Sequence, residues 1–350
     1  MAATLETLHP DENYGRFSTG ILPSHVLKRL LEAKREILAE EPFAPGQIQP
    51  ASIDLRLGPV AYRVRASFLP GPQATVAEKL KTVFMHEVDL RDGAVLEAGC
   101  VYIVPLLERA EFSARISGGA NPKSSTGRID VFTRLITDYA PSFDRVEPGY
   151  RGPLYAEICP QTFPVLVRKG SRLNQLRIRH GSPQFTDTQL RRLNEQAPLV
   201  AFDGFDGEPD IANGLALSID LKGGAESGSR NASGRIGYRA KKHTGLIDVD
   251  RVGLLDPADY WEPITANARG DMVLDPDEFY ILVSRERVAI PPDHAAEMVP
   301  FNPLVGEFRV HYAGFFDPGF GYQPGQPPSA LGVLEVRSRE VPFILEHGQV

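Results

Sequence analysis

The sequence predicts an all-β protein built from two related domains, with small helices at the periphery. Two observations carry that expectation. Proline (30) and glycine (32) are frequent, and their even scatter cuts the chain into short runs rich in Val, Ile, Tyr and Phe, the punctuation of many short strands. The second half also repeats the first, in order and in spacing.

Taken from the N-terminus, the first periodic segment is Ser24 to Ala39, where Val26/Leu27, Leu30/Leu31 and Ile37/Leu38 recur at helical spacing behind a Ser24 that can cap them. After it Ser52-Ile53-Asp54-Leu55 returns as Ser218-Ile219-Asp220-Leu221. Val95-Leu96-Glu97 and Tyr102-Ile103 return as Val273-Leu274-Asp275 and Tyr280-Ile281, both at an offset of 178. Pro148-Gly149-Tyr150 returns as Pro318-Gly319-Phe320, and Tyr155-Ala156-Glu157-Ile158 as Val333-Leu334-Glu335-Val336. Val165-Leu166-Val167 before Gly170 matches Phe343-Ile344-Leu345 before Gly348. Each match alone is weak; their common order is not a chance pattern. Copy one therefore runs over residues 21–180 and copy two over 211–350. A connector, 181–210, holds a second short helix from Thr188 to Gln196 and the start of an acidic turn that reads as a solvated loop. Lys222 to Arg235, rich in Gly and Ser, reads as a flexible strand connection.

Composition narrows the function. Hydrophobic (42%) and charged (24%) shares are those of a globular protein. A net charge of −7 argues against a nucleic-acid partner, while a few arginines in a pocket still suit a small anion. No apolar run approaches the ~18 residues that span a bilayer, and Met1 to Gly20 does not resemble a signal peptide. With only Cys100 and Cys159, no disulfide framework is expected. A cytoplasmic location, without membrane contact, is the expectation.

The chemistry concentrates in copy one. Asn121-Pro122-Lys123-Ser124-Ser125-Thr126-Gly127-Arg128 places three hydroxyls, a glycine and two cations within six residues, donors suited to phosphate oxygens. Alone it would read as a polar turn. It is followed by Glu147-Pro148-Gly149-Tyr150-Arg151-Gly152, by Leu154-Tyr155-Ala156-Glu157-Ile158, and by Gly170-Ser171-Arg172-Leu173-Asn174-Gln175-Leu176. With Gln49 to Gly58 upstream, this set closely resembles the dCTP deaminase branch of the dUTPase superfamily. The resemblance covers nearly all of copy one. It implies two tandem dUTPase-like distorted jelly rolls, packed as a homo-oligomer about a threefold or pseudo-threefold axis, that convert dCTP to dUTP and ammonia. It leaves room for regulation by dTTP.

The resemblance also assigns roles. Ser124, Ser125 and Arg128, with Lys123 beside them, match the phosphate motif. Glu147 or Asp317 matches the acid that holds the sugar, backbone at Tyr155 and Ala156 would read the base, and Gln175 would support the phosphate end. Ala313 falls where the family holds the attacking water by a backbone carbonyl. Glu157 stands where the pyrophosphatase branch has an apolar residue, and Glu335 repeats it. Simple strand alternation could equally leave Glu157 on a solvent face. Yet deamination needs a group that takes a proton from water and delivers protons to the ring and to departing ammonia, which one tuned carboxyl can do. Zinc deaminases need a Cys-x-x-Cys pair; this chain has none, so no zinc is expected, and magnesium is expected with the triphosphate.

Copy two has lost the phosphate motif: Asn302, Pro303 and Gly306 stand at the positions of Ser124, Ser125 and Arg128. Two arrangements stay open, one in which copy-one domains complete each other's sites and one in which the phosphate motif meets Asp317 and Glu335. Glu157 is the expected base, because it shares a copy with the intact motif. A dUTP pyrophosphatase or bifunctional enzyme, and a non-catalytic nucleotide-binding scaffold, are the alternatives.

Overall fold

The computed structural model describes residues 2–3, 19–202, 204–223, 234–299, 309–310, 314–338 and 341–350. Two compact units emerge. One comprises Ala3–Pro183 with Gly245–Leu255; the other comprises Gln184–Thr244 and Asp256–Val350, together with Met1–Ala2.

In the first unit, one sheet runs in the order Val131–Thr137, Arg151–Pro160, Val101–Glu111, Val60–Val64, Phe84–Asp89, with Glu36–Ala39 also on Val101–Glu111. A second sheet runs Arg145–Val146, Ile116–Pro122, Arg172–His180, Gly20–Ile21, with Ile53–Arg56 also on Arg172–His180. The main core lies between them: Ile53, Leu55, Ile116, Leu176 and Ile178 from one sheet meet Ile37, Ala110, Leu135 and Leu154 from the other. Facing inner surfaces of two antiparallel sheets make a sandwich.

The second unit repeats the larger sheet. Its order is Trp261–Thr265, Arg235–Ala240, Phe279–Val288, Ala330–Arg337, Arg309–Val310, with Val200–Ala201 on Phe279–Val288. The copies agree to the residue. Glu157 pairs with Ile103 and Glu335 with Ile281; Val165 pairs with Leu96 and Phe343 with Leu274. Even a side-chain bond recurs: the Tyr102 hydroxyl accepts from Glu97 N at 3.2 Å, and the Tyr280 hydroxyl from Asp275 N at 3.0 Å.

The first helix is shorter than its periodicity predicts. It spans Ser24–Glu32, and Pro23 rather than Ser24 holds the cap position, without a capping side chain. Lys34 (φ 52) and Glu36 (φ 65) adopt left-handed backbone, and the chain re-emerges as the strand Glu36–Ala39, where Ile37 pairs with Ala110. The break is held by the buried Glu36 carboxylate, which accepts from Ser113 N at 2.8 Å and Ser113 Oγ at 2.5 Å. Pairing and an anchored acid outweigh helical spacing there. The second helix spans Asp187–Gln196 behind a capping box of Thr186 and Gln189. An unforeseen helix, Val76–Val83, is capped by Thr75 and Glu78. Most of the Gly/Ser-rich connection, residues 224–233, lies outside the described residues.

One buried charge cluster fixes the edge of the sandwich. Glu108 Oε1 accepts from Arg56 Nε and Gln47 Nε2, each at 2.7 Å, and Oε2 accepts from Arg56 N at 2.8 Å. Arg56 also donates to Pro42 O at 2.8 Å and Glu41 O at 3.1 Å. Removing one partner strands the other charge out of water. Glu108→Ala is expected to lower unfolding free energy by about 3–5 kcal/mol, read from the urea midpoint at constant m. A loss under about 1 kcal/mol would show that Arg56 regains water instead.

Candidate active site

The segment with the hydroxyls forms a one-turn helix, Ser124–Arg128, where the strand Ile116–Pro122 ends. Its inner side is pinned: Lys123 N donates to Leu173 O at 2.9 Å, and Thr126 Oγ1 to the same carbonyl at 2.9 Å. Thr126 and Gly127 are buried, while Ser124, Ser125 and Arg128 are exposed and make no side-chain hydrogen bond or ion pair with any described residue. Three donors are thus turned outward on a fixed turn. Lys123 is placed differently. Its ammonium is bonded to the buried Asp54 carboxylate, with Arg172 Nη1 at 3.8 Å from the same oxygen. Burial pushes Asp54 above its ordinary value against the pull of Lys123 and Arg172. Gln175 accepts from Ser52 Oγ at 3.2 Å and donates to Pro122 O at 3.3 Å; it braces the end of the strand that leads into this one-turn helix.

The acid-Pro-Gly-aromatic-x-Gly segment is a tight turn in both copies. Tyr150 N donates to Glu147 O and Phe320 N to Asp317 O, both at 3.1 Å. Gly149 (φ +77) and Gly319 (φ +84) supply the left-handed residue. The final glycine of the first copy has a separate reason: a Cβ on Gly152 would lie 2.5 Å from the Tyr150 hydroxyl, which accepts from Asp138 N at 3.2 Å and donates to Pro153 O at 2.7 Å. Glu147 is exposed and Asp317 half-buried. Ala313 lies outside the described residues, as do Asn302, Pro303 and Gly306.

Glu157 sits in the centre of the larger sheet of its unit, 2% exposed. Arg134 is its cross-strand partner on one side and Ile103 on the other. Leu154, Ala156 and Ile158 point into the sandwich core, each 0% exposed. Glu157 and Tyr155 occupy the opposite face, and that face is covered, not solvated. Burial raises the Glu157 carboxyl, while a Ser67 hydroxyl bond and the charge of Arg134 pull the other way; Oε2 has no hydrogen-bond partner. The Arg134 guanidinium lies 4.4 Å from the Phe132 ring centroid and 4.5 Å from that of Phe143. Burial pushes the Tyr155 hydroxyl up to about 12. Tyr155 and Ala156 are flanked by strands on both sides, with a bulge between Pro153 and Tyr155.

Ser124, Ser125 and Arg128 share one turn, and Lys123 and Gln175 buttress its base. No hydrogen bond or ion pair among the described residues links this turn to Glu157. Sequence reasoning missed Ser67 and Arg134. Strand pairing would have exposed Arg134; nothing in the sequence marks Ser67.

This sandwich, with an outward hydroxyl–guanidinium cluster and a buried strand glutamate, defines an enzyme of the dUTPase-like all-β class. Residues 18–182 match the 2'-deoxycytidine 5'-triphosphate deaminase N-terminal domain, and residues 186–350 its C-terminal domain. A crystal structure of 2'-deoxycytidine 5'-triphosphate deaminase from Agrobacterium tumefaciens is similar at 55% identity and a TM-score of 0.87, over 95% of this chain and 96% of that one. A "dCTP deaminase, dUMP-forming" from Salinispora arenicola is 30% identical over 149 residues, 41% of this chain and 72% of that protein. A "dCTP deaminase" from Halorubrum lacusprofundi is 28% identical over 156 residues, 43% of this chain and 72% of that protein. The chain belongs to the 2'-deoxycytidine 5'-triphosphate deaminase family. Deamination of dCTP, a step of pyrimidine nucleotide synthesis, is accordingly its reaction.

The Glu157 environment has a consequence for stability. Its folded-state pKa lies above the ordinary 4.5, so its contribution is fully present below that value and is lost as pH rises through the folded pKa. Glu157→Gln, which carries no charge, is therefore expected to melt above the parent at about pH 8 and to converge with it near about pH 4. Thermal unfolding of both proteins across that range checks this; a gap that widens toward acid would refute it.

Proposed function

We propose that this chain releases dUTP and ammonia from dCTP and water through a carboxylate proton shuttle. The observation that carries the proposal is a glutamate at one register position in both copies, Glu157 and Glu335, each buried beside apolar neighbours. A carboxyl at that position, in one copy or the other, is the kind of group that can first accept a proton from water and then donate it. Ser124, Ser125 and Arg128 bind the phosphates by their outward hydroxyls and guanidinium. Lys123 and Gln175 keep their turn in place. Glu147 or Asp317 takes the sugar, and strand backbone beside the working glutamate, at Tyr155 and Ala156 or at the equivalent Val333 and Leu334, meets the base. No zinc enters this reaction; magnesium arrives with the triphosphate, whose oxygens it prefers. The working form is a homo-oligomer with threefold or pseudo-threefold packing, a reading supported by the family resemblance. No helix among the described residues is long and apolar enough to cross a membrane.

A second reading has its own support. Several relatives, including that from Salinispora arenicola, carry the words "dUMP-forming", which favours onward hydrolysis of the same nucleotide. Incubation with dCTP and with dUTP, following ammonia and pyrophosphate separately, decides between them. Ammonia alone supports release of dUTP; ammonia with pyrophosphate supports the bifunctional enzyme; neither product leaves a nucleotide-binding scaffold. Arg128→Ala is expected to lower kcat/KM about 10- to 100-fold by loss of a charge-assisted phosphate contact, with Ser124→Ala milder. Light scattering tests the assembly, and a strict monomer would count against a shared site.

A further inference from the structure

The two copies place a glutamate at the same point of the same sheet, yet they treat the surrounding face differently. In the first copy the connection between Val60–Val64 and Phe84–Asp89 folds back over that face. Arg65 N donates to Val83 O at 3.0 Å and closes its neck. Gly71 N donates to Ala140 O at 3.1 Å, Tyr139 N to Ala74 O at 3.0 Å, and Val76 N to Asp138 Oδ1 at 2.8 Å, so its far end is stitched to the sheet margin. Val76, Leu80, Val83 and Phe68 then pack in one cluster with Ile103, Ile136 and Tyr155. Ile103, the direct partner of Glu157, is 0% exposed, and Ser67 of the same connection lies near enough to the carboxyl to oppose the upward shift that burial imposes. A pyrimidine ring set against Glu157 would need the space these side chains fill.

In the second copy the connection at the same place in the topology lies between Arg235–Ala240 and Trp261–Thr265. It does not fold back. Its middle, Gly245–Leu255, belongs to the first unit, where Ile247–Asp248 pairs in parallel with Val165–Leu166. Arg168 holds Asp248 there through two hydrogen bonds, at 2.7 and 2.8 Å. A segment committed to that strand and that ion pair does not serve as a lid on its own sheet. Ile281, the direct partner of Glu335, is correspondingly half-buried where Ile103 is sealed.

We infer that Glu335, rather than Glu157, is the carboxylate that moves protons in the deamination, and that the first copy's equivalent position is closed by its own residues 65–83. This rests on the carboxylate-shuttle reading above. The same position was thus kept in both copies, but only in the first is its face closed by the connection of its own sheet. Glu157 persists as a buried acid opposite Arg134 in the strand pair.

The test compares ammonia release from dCTP by the full-length protein and its variants. Glu335→Gln is expected to lose about 10²–10⁴-fold in kcat while binding dCTP as the parent does. Glu157→Gln and Ser67→Ala are expected to keep the parent kcat and KM. Glu335→Asp guards against a folding defect in the glutamine variant: it keeps the charge, shortens its reach, and is expected to fold normally with a lowered kcat and little change in KM. Loss of turnover in Glu157→Gln with dCTP binding intact, or a parent-like rate in Glu335→Gln, overturns the assignment while leaving the deaminase reading in place. A parent protein that releases no ammonia from dCTP removes that reading, and this assignment with it.

Discussion

The register of the strand Arg151–Pro160 is the constraint on which the site depends. It is clamped between Val131–Thr137 and Val101–Glu111, and because side chains alternate faces, that register sends Leu154, Ala156 and Ile158 into the sandwich and Glu157 to the other side. A slip of one residue would drive a carboxylate into the core and an isoleucine out of it. The turn before the strand helps to hold the setting: Gly149 supplies the left-handed backbone, and Gly152 leaves room for the Tyr150 hydroxyl to tie the two ends together. The second copy keeps the corresponding register between Glu335 and Ile281.

Around this frame the protein buries several charges, and most are compensated. Glu108 is bonded on both oxygens to Arg56 and Gln47; Glu36 is bonded on both to Ser113. Such acids hold the chain in conformations its local propensity would not select, as the left-handed break before Glu36–Ala39 shows. Glu157 is different. One of its oxygens is unpartnered, and burial dominates its titration. A carboxyl left in that condition weakens the fold at neutral pH.

Family membership joins these features without making the copies equal. Copy one keeps the outward Ser124, Ser125 and Arg128 on their pinned turn, while the positions that repeat them in the sequence of copy two are Asn302, Pro303 and Gly306. Copy two keeps the acid turn at Asp317 and the strand glutamate at Glu335. The difference extends to the long connections: one is stitched over its own sheet, the other is drawn into the partner unit's strand pairing by Val165 and Arg168. Divergence after duplication has acted on loops and surface donors, where change costs little packing, while strand registers were preserved.

What the sequence by itself determined is what local chemistry and repetition can express. Glycine and proline punctuation announced strands; the recurring segments announced two copies, and residues 102 and 280 prove equivalent down to one hydroxyl bond. The clustered hydroxyls and Arg128, the acid turn and the strand glutamates identified the family. Only tertiary structure decided which of these groups are open. Helical spacing over Ser24 to Ala39 could not reveal that Ser113 would capture Glu36 and turn the segment's end into a strand. Nor could Lys123 announce that its charge would be taken up by Asp54, 69 residues away in the chain. Alternation allowed Glu157 a solvent face; the folded chain lays residues 65–83 across it. The physical reason is common to all three. Propensity and spacing act between near neighbours, whereas exposure and ion pairing are set by segments far apart in sequence that meet only when the sheets close.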